Sequence, residues 1–363
     1  MYASRNRFPM VRGAAIPLLS AMPSMRSLSY LAAIAASSSL SSSSSSSQQI
    51  GRASSRVSHV YRASQLQQTI ATTATRIGVG LHSGQGATVK LVPARANEGR
   101  YFVKLHRKEP AVIVPAIVNN TIDTRLSTCL GRNGSTVRTV EHLMSALEGL
   151  GVDNCRIEIE GGNEVPLLDG SAREWVEAIE ESGLSIAKDY AGFGSARNAY
   201  VLDSPITVHQ GDSFVAAFPS PFTRLTYGID FPHVPAIGLR WFCWTPSGPS
   251  SYKHEVAPAR TFGIAEQLEQ LRAAGLIKGG SLDNALVCST EEGWLNPPLR
   301  FDDEPCRHKL LDLIGDLALC AAPGHPGLPI AHIVAFKASH ALHVKFGAAL
   351  LQHQMKLHNL VQV

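Results

Sequence analysis

The stretch RHKLLDLIGDLALC, residues 307–320, holds an imidazole and a carboxylate four residues apart. Wound as an α-helix at about 100° per residue, it places His308, Lys309, Asp312, Gly315 and Asp316 on one side and Leu310, Leu311, Leu313, Ile314, Leu317 and Ala318 on the other. His308 and Asp312 then face the same way, and at that spacing the two side chains can share one metal ion. The same pattern also describes a surface helix with a solvated polar face. Hydrolysis at a zinc ion takes three N or O ligands, an open position for water, a base for that water's proton and an acid for the leaving group. The chain offers His142, His308 and Asp312 as ligands, Glu141 as base and His340 as acid. Its 14 histidines allow many other triples, and spacing alone does not choose among them.

These residues need elements to carry them. In TVEHLMSALEGLGVDN, Thr139 is the expected N-cap, and Val140, Leu143, Met144, Ala146 and Leu147 form a helical apolar face that ends at Gly149 and Gly151. His142 borders that face, with Glu141 about 100° round the helix. A strand over 155–160 and a helix over 171–182 follow, and strands are expected at 69–77, 87–91, 101–105 and 111–118. The Gly- and Ala-rich stretch 187–198 marks a candidate domain boundary. Beyond it the pattern predicts strands at 199–209, 213–218, in LTYGIDF and at 330–337, a helix over 264–274 and a last helix to 360. The glycine-punctuated apolar stretch 275–287 suits either a greasy slot or a buried loop and strand. HLMSALEGL and HKLLDLIGD echo one another, a weak sign of a duplicated unit.

Composition bounds the classes of function. With 44% apolar and 17% charged residues among 363, the chain can bury a sizeable core. Net charge is only +4, much of it in the first sixty residues, so no nucleic-acid partner is expected. No acidic residue precedes Glu98, whereas Arg5, Arg7, Arg12, Arg26, Arg52, Arg56 and Arg62 are interleaved with Ser and Ala. An Arg-rich, Ser-rich, acid-free leader over 1–63 is the composition of a transit peptide, with a mitochondrial address expected and a plastid as the alternative. A secretory signal at 14–22 is opposed by Arg26 and the long continuation, and a tail without an address is the bland alternative. No apolar run reaches the roughly 18 to 20 residues that span a bilayer. Six cysteines without a C-x-x-C pair predict reduced, mostly buried thiols.

The strings TVEHLMSALEGLGVDN, VPLLDGSA, ARTFG, GGSLDNALV, FDDEPCRHKLLDLIGDL and KASHALH, with GVGLHSG ahead of them, resemble the zinc-dependent UDP-3-O-acyl-N-acetylglucosamine deacetylases of lipid A synthesis in order and rough spacing. The resemblance spans 65 to about 360 and leaves out the leader, so the chain looks like a plant organellar homologue of a bacterial enzyme. It implies an α+β fold of two similar domains, here 64–192 and 193–363, each a small sheet layered with helices and facing the other across the metal. It implies His142, His308 and Asp312 as ligands of one Zn²⁺, with Fe²⁺ as an alternative occupant. By the same resemblance Glu141 is the general base, Thr261 a hydroxyl for the oxyanion, and His340 the proton donor paired with Asp316. The resemblance also implies that Lys309 lies near the substrate's phosphate and carbonyl groups, and that Phe262 and the 275–287 stretch, with Gly280 and Ser281, form a passage for the acyl chain. The expected partner is a UDP-linked acylated glucosamine; peripheral membrane contact without insertion and a monomeric state are also expected.

Three departures accompany the resemblance: Pro305 and Cys306 replace bulky apolar residues, Ser339 stands where a glycine is common, and the chain ends soon after the last helix. If that glycine needs positive φ, the His340 loop sits differently. A homologue that keeps the fold but has lost activity is the alternative function. A zinc peptidase is disfavoured because H-E-x-x-H is absent.

Overall fold

Ten strands form two five-stranded sheets of the same topology. The first holds β1 Ala74–Val79, β2 Gly86–Pro93, β3 Arg100–Lys104, β4 Val112–Pro115 and β5 Cys155–Glu160, in the spatial order β1-β2-β5-β3-β4. The second holds β6 Ile206–Gln210, β7 Ser213–Pro219, β8 Arg224–Phe231, β9 Gly238–Trp244 and β10 Ala331–Phe336, in the order β6-β7-β10-β8-β9. In each, only the central strand makes a parallel pair, β5 with β3 and β10 with β8. A parallel neighbour cannot be reached by a tight hairpin, so the chain must cross over, and a helix does so in both sheets. These crossings are α1 Glu141–Gly149 and α5 Glu304–Leu317. The weak echo between HLMSALEGL and HKLLDLIGD therefore falls on the crossing helices of two sheets of one topology.

The computed structural model describes residues 60–105 and 110–361, with side chains at 65–105 and 110–355. The expected leader lies outside these residues except for its last four, which open the strand Val60–Leu66. That strand pairs antiparallel with Ala196–Tyr200, so the stretch expected as a linker is partly sheet. The described residues all belong to one compact unit. The remaining helices are α2 Arg173–Ser182, α3 Pro249–Glu255, α4 Ala265–Ala273 and α6 His340–Val361. Short strands fill the connection from β4 to α1 (Thr121–Asp123, Cys129–Arg132, Ser135–Arg138) and from β9 to α5 (Phe262–Ile264, Leu286–Ser289, Gly293–Trp294). Both insertions border the cleft described below.

Alternation explains the layering. In β5, CRIEIE, Cys155, Ile157 and Ile159 point inward while Arg156, Glu158 and Glu160 point out. α2 packs on β1, α5 on β8 and β9, and α6 on β6 and β7, while α1 and α5 pack on each other. The polar side of α5 is not solvated: His308, Asp312 and Asp316 are as buried as its leucines. Gly315 makes that packing possible, since a Cβ there would sit 2.0 Å from the Glu141 carbonyl oxygen. Gly315→Ala is expected to cost about 3 kcal/mol through overpacking and to displace Glu141. Urea denaturation with an activity assay checks this, and a loss below about 1 kcal/mol would contradict the close approach.

Several boundaries differ from expectation. The strand expected at 69–77 is two pieces, Gln68–Ile70 and Ala74–Val79, and that at 199–209 breaks between Tyr200 and Ile206. α5 begins at Glu304 with Pro305 in its first turn, where a missing N–H is tolerated, and its expected last residues, Ala318–Cys320, are 3₁₀. Cys306 is fully buried, its thiol 3.2 Å from the Tyr227 carbonyl oxygen. All six cysteines are free, and five are buried, Cys243 being the exposed one.

Candidate active site

Thr139, expected as the N-cap of α1, does not cap it; Val140 holds that position. Thr139 has φ +57°, a conformation that costs a residue with a Cβ about 1–2 kcal/mol. Its hydroxyl instead donates to Glu164 Oε1 at 2.7 Å. Glu164 also accepts the backbone N–H groups of His82 at 2.9 Å and Ser83 at 2.7 Å, so the GVGLHSG turn and the start of α1 share one carboxylate. Gly80 in that turn leaves room for it, because a Cβ there would lie 2.4 Å from Glu164 Oε2. Thus Glu141 and His142 open a helix next to Thr139, which is tied through Glu164 to the GVGLHSG turn.

His142, His308 and Asp312 converge. Their candidate donor atoms all lie within 4.8 Å of one another, and all three residues are buried. Asp312 Oδ1 is 3.4 Å from His308 Nε2 and 3.6 Å from His142 Nε2. Donors about 2.0–2.1 Å from a tetrahedral ion stand about 3.4 Å apart, so these separations fit one cation. Asp312 Oδ1 is also a buried acceptor with no hydrogen-bond partner among the described residues. His308 Nδ1 donates to the Ala259 carbonyl oxygen at 3.0 Å, which leaves the Nε2 lone pair facing Asp312. Lys309 Nζ donates to the other oxygen, Asp312 Oδ2, at 2.7 Å.

Asp316, His340 and His343 form a second cluster, and it is closed. His340 Nδ1 and His343 Nδ1 each lie 2.8 Å from Asp316 Oδ2, while the Thr128 hydroxyl donates to Asp316 Oδ1 at 2.5 Å. These contacts are hydrogen bonds, and both carboxylate oxygens of Asp316 already accept from protein donors. His340 is thereby turned so that Nε2 faces the first cluster, 4.0 Å from both Glu141 Oε1 and Asp312 Oδ2. Ser339 is not among the residues with positive φ. It serves as a cap, with Leu342 N–H and His343 N–H donating to its carbonyl oxygen, so replacing glycine costs this loop nothing.

The charges follow from burial and partners. Burial favours neutral forms; it holds His308 down at about 4 and raises Glu141 above the usual carboxylate value. For His340 burial is outweighed by the carboxylates of Asp316 and Asp312, which push it up to about 9. Asp316 is held at about 2 against its burial, chiefly by His340. A carboxylate that resists protonation beside an imidazole that keeps its proton is an arrangement suited to proton donation.

These groups line a cavity of about 290 Å³. Glu141, His142, His308, Lys309, Asp312 and His340 border it, as do Thr261 and Phe262. Asp316 stands behind His340. Gly280 and Ser281 are not brought to this wall. They lie in a turn in which Lys278 N–H and Gly279 N–H donate to the carbonyl oxygens of His82 and Leu81. The sequence reasoning missed Thr128, His343 and Tyr227, whose hydroxyl is 3.0 Å from His343 Nε2. The histidine three residues after His340 was a usable signal; a threonine in STCLG was not.

Three N and O donors around one point, faced by a carboxylate and an imidazole, make the site of a metal-dependent hydrolase. Residues 67–352 match the family described as UDP-3-O-acyl N-acetylglycosamine deacetylase, and the chain belongs to that family. It is 51% identical to the probable UDP-3-O-acyl-N-acetylglucosamine deacetylase 1, mitochondrial, of Arabidopsis thaliana, over 80% of this chain and 90% of that protein. It is 52% identical to the UDP-3-O-acyl-N-acetylglucosamine deacetylase of Thermosynechococcus vestitus, over 80% of this chain and 95% of the relative. The corresponding enzyme of Trichormus variabilis is 51% identical over 78% of this chain and 98% of its own length.

Proposed function

We propose that the chain hydrolyses the N-acetyl group of UDP-3-O-(3-hydroxyacyl)-N-acetylglucosamine to the free amine and acetate, the committed step of lipid A-type synthesis. The observation that carries this reading is the meeting of Glu141 and His340 at the His142, His308 and Asp312 cluster. Those three residues would hold a divalent cation, Zn²⁺ in the first instance. When bound, it supplies Lewis acidity that polarises the acetamide carbonyl and favours water as a nucleophile at neutral pH.

The chain's own residues do the rest. Glu141 Oε2 is held by the Thr128 N–H at 3.0 Å, which leaves Oε1 to take a proton from the attacking water. Thr261, which lines the cavity, would donate its hydroxyl to the developing oxyanion. As the C–N bond breaks, His340 Nε2 gives its proton to the departing nitrogen, and Asp316 steadies the ring. Lys309 lines an adjoining cavity of about 230 Å³ with Asp230 and Lys337, and its ammonium, paired with Asp312, is the group that would meet the substrate's phosphate and carbonyl groups. For the acyl chain, α4 has no buried residue, and Phe262 meets Phe231 edge-on at 5.7 Å in the cavity wall. A helix whose leucines stay half-covered suits a slot that an apolar tail completes.

We further propose two lobes, 64–192 and 193–363, each built on one of the sheets, a monomeric enzyme, and peripheral contact with the membrane that holds the lipid product. No helix among the described residues is long and apolar enough to cross a membrane. A mitochondrial address is supported by the Arg-rich leader and by the names of the Arabidopsis relatives. Purified protein is expected to release one acetate per free amine formed from the acylated substrate. Tight binding of that substrate without acetate release would overturn the reading in favour of a non-catalytic binding protein.

A further inference from the structure

We propose that Thr128 is a positioning residue that ties the base to the partner of the acid, and so keeps Glu141 and His340 in register across the cleft; this rests on the deacetylase reading above. Thr128 is fully buried in the loop that leads into the strand Cys129–Arg132. Its three polar groups each engage a different part of the site. The N–H donates to Glu141 Oε2 at 3.0 Å, the carbonyl oxygen accepts from Val140 N–H at 3.3 Å, and the hydroxyl donates to Asp316 Oδ1 at 2.5 Å. Glu141 lies on α1 and Asp316 on α5, the crossing helices of the two sheets. Among the described residues Thr128 alone is hydrogen-bonded to both carboxylates.

The division of labour at Asp316 makes the hydroxyl matter. Oδ2 is already shared by the Nδ1 atoms of His340 and His343, and Oδ1 has the Thr128 hydroxyl as its donor. Without that donor, a buried carboxylate oxygen is left unsatisfied and the group is free to rotate about its Cβ–Cγ bond. Rotation moves the oxygen that aims His340, whose Nε2 sits 4.0 Å from Glu141 Oε1. The Glu141 bond comes from the backbone of Thr128 and survives loss of the side chain. A hydroxyl deletion therefore misaligns the acid and leaves the base in place.

The test compares Thr128→Val and Thr128→Ser with wild type in the metal-loaded enzyme, alone and in an Asp316→Asn background. Thr128→Val is expected to lower kcat by about tenfold to a hundredfold, with KM and bound metal unchanged, and Thr128→Ser to recover most of it. In the Asp316→Asn background Thr128→Val should cost little more, because the hydroxyl acts through that carboxylate. A Thr128→Val enzyme with wild-type kcat, an equal loss in both backgrounds, or a loss that serine does not restore would each overturn the proposal. Should Thr128→Val not accumulate as folded protein, Thr128→Ala and Thr128→Cys remove the same hydroxyl and enter the same comparison. Failure of wild type to release acetate would sink the deacetylase reading, whereas an active wild type matched by Thr128→Val sinks this inference alone.

Discussion

Stripped of its divalent cation by a chelator, the enzyme should lose about three orders of magnitude in turnover and regain it when Zn²⁺ is restored, since Lewis-acid stabilisation is worth several kcal/mol, here taken as about 4. The site favours metal at neutral pH. Burial holds His308 at about 4, so its Nε2 carries a lone pair at pH 7, and Asp312 stays ionised well below the usual carboxylate range, against burial, through Lys309 and His308. A cation therefore displaces no proton from either group near neutrality, and the part of the affinity that His308 supplies should weaken as pH falls toward about 4, where His308 takes up a proton. Binding is also visible without turnover. A ligand that binds only the native state stabilises it by about 2.7 kcal/mol at a hundredfold excess over Kd, so added Zn²⁺ should raise the Tm of the stripped protein. Asp312→Asn, which keeps the volume and removes the charge, should abolish both the thermal shift and the recovery. A stripped protein with normal turnover would remove the cation from the reaction.

The helix that carries His308 and Asp312 was legible because both residues lie within one stretch of fourteen. His308 and Asp312 share a face by helical spacing, and the expected helix was shifted by only three residues at its start. Whether that face meets water or protein was not legible, since burial of Asp312 and Asp316 depends on α1, more than 160 residues earlier in the chain. Gly315 looked like one more residue on the polar side, although the Glu141 carbonyl oxygen would lie 2.0 Å from any Cβ there. Thr139 misled because a threonine before an apolar helix ordinarily caps it; a distant carboxylate, Glu164, took its hydroxyl instead.

Short strands were the hardest elements to see. Cys129–Arg132 and Ser135–Arg138 are four residues each and carry a glycine, arginines and hydroxyl residues, so neither shows a clear alternation. Their pairing is set by the tight hairpin that joins them, not by an apolar face of their own. β9 was missed for a similar reason: as an edge strand it leaves Leu239, Trp241 and Cys243 exposed and buries only Phe242 and Trp244. The repeat of topology was nearly erased from the sequence, because it constrains where helices cross and not which residues form them. Side chains that act through other side chains, Thr128 above all, leave no spacing to detect.

Glu141→Gln should lower kcat by about a thousandfold, within the range for loss of a general base, with metal content unchanged because Glu141 is not one of the converging donors. The amide keeps the shape and can still meet the Thr128 N–H, so the loss isolates proton abstraction from packing. The pH profile separates this base from the acid. Glu141 must be ionised to act, and burial raises its pKa, so activity should climb as pH rises through a value above that of an ordinary glutamate. His340 must be protonated to act; it is held at about 9 by Asp316 and Asp312 over the opposing effect of burial, so activity should fall as pH rises toward that value. A cation beside these groups favours their deprotonated forms and moves both limbs to lower pH. The wild-type profile is therefore a bell whose alkaline limb lies at or below about 9. In Glu141→Gln the acid limb should vanish and the alkaline limb remain, while in His340→Ala the alkaline limb should vanish and the acid limb remain. Asp316→Asn, which takes away the principal charge holding the proton on His340, should keep both limbs and move the alkaline one downward. If Glu141→Gln kept the acid limb at wild-type height, the proton would be leaving water by another route.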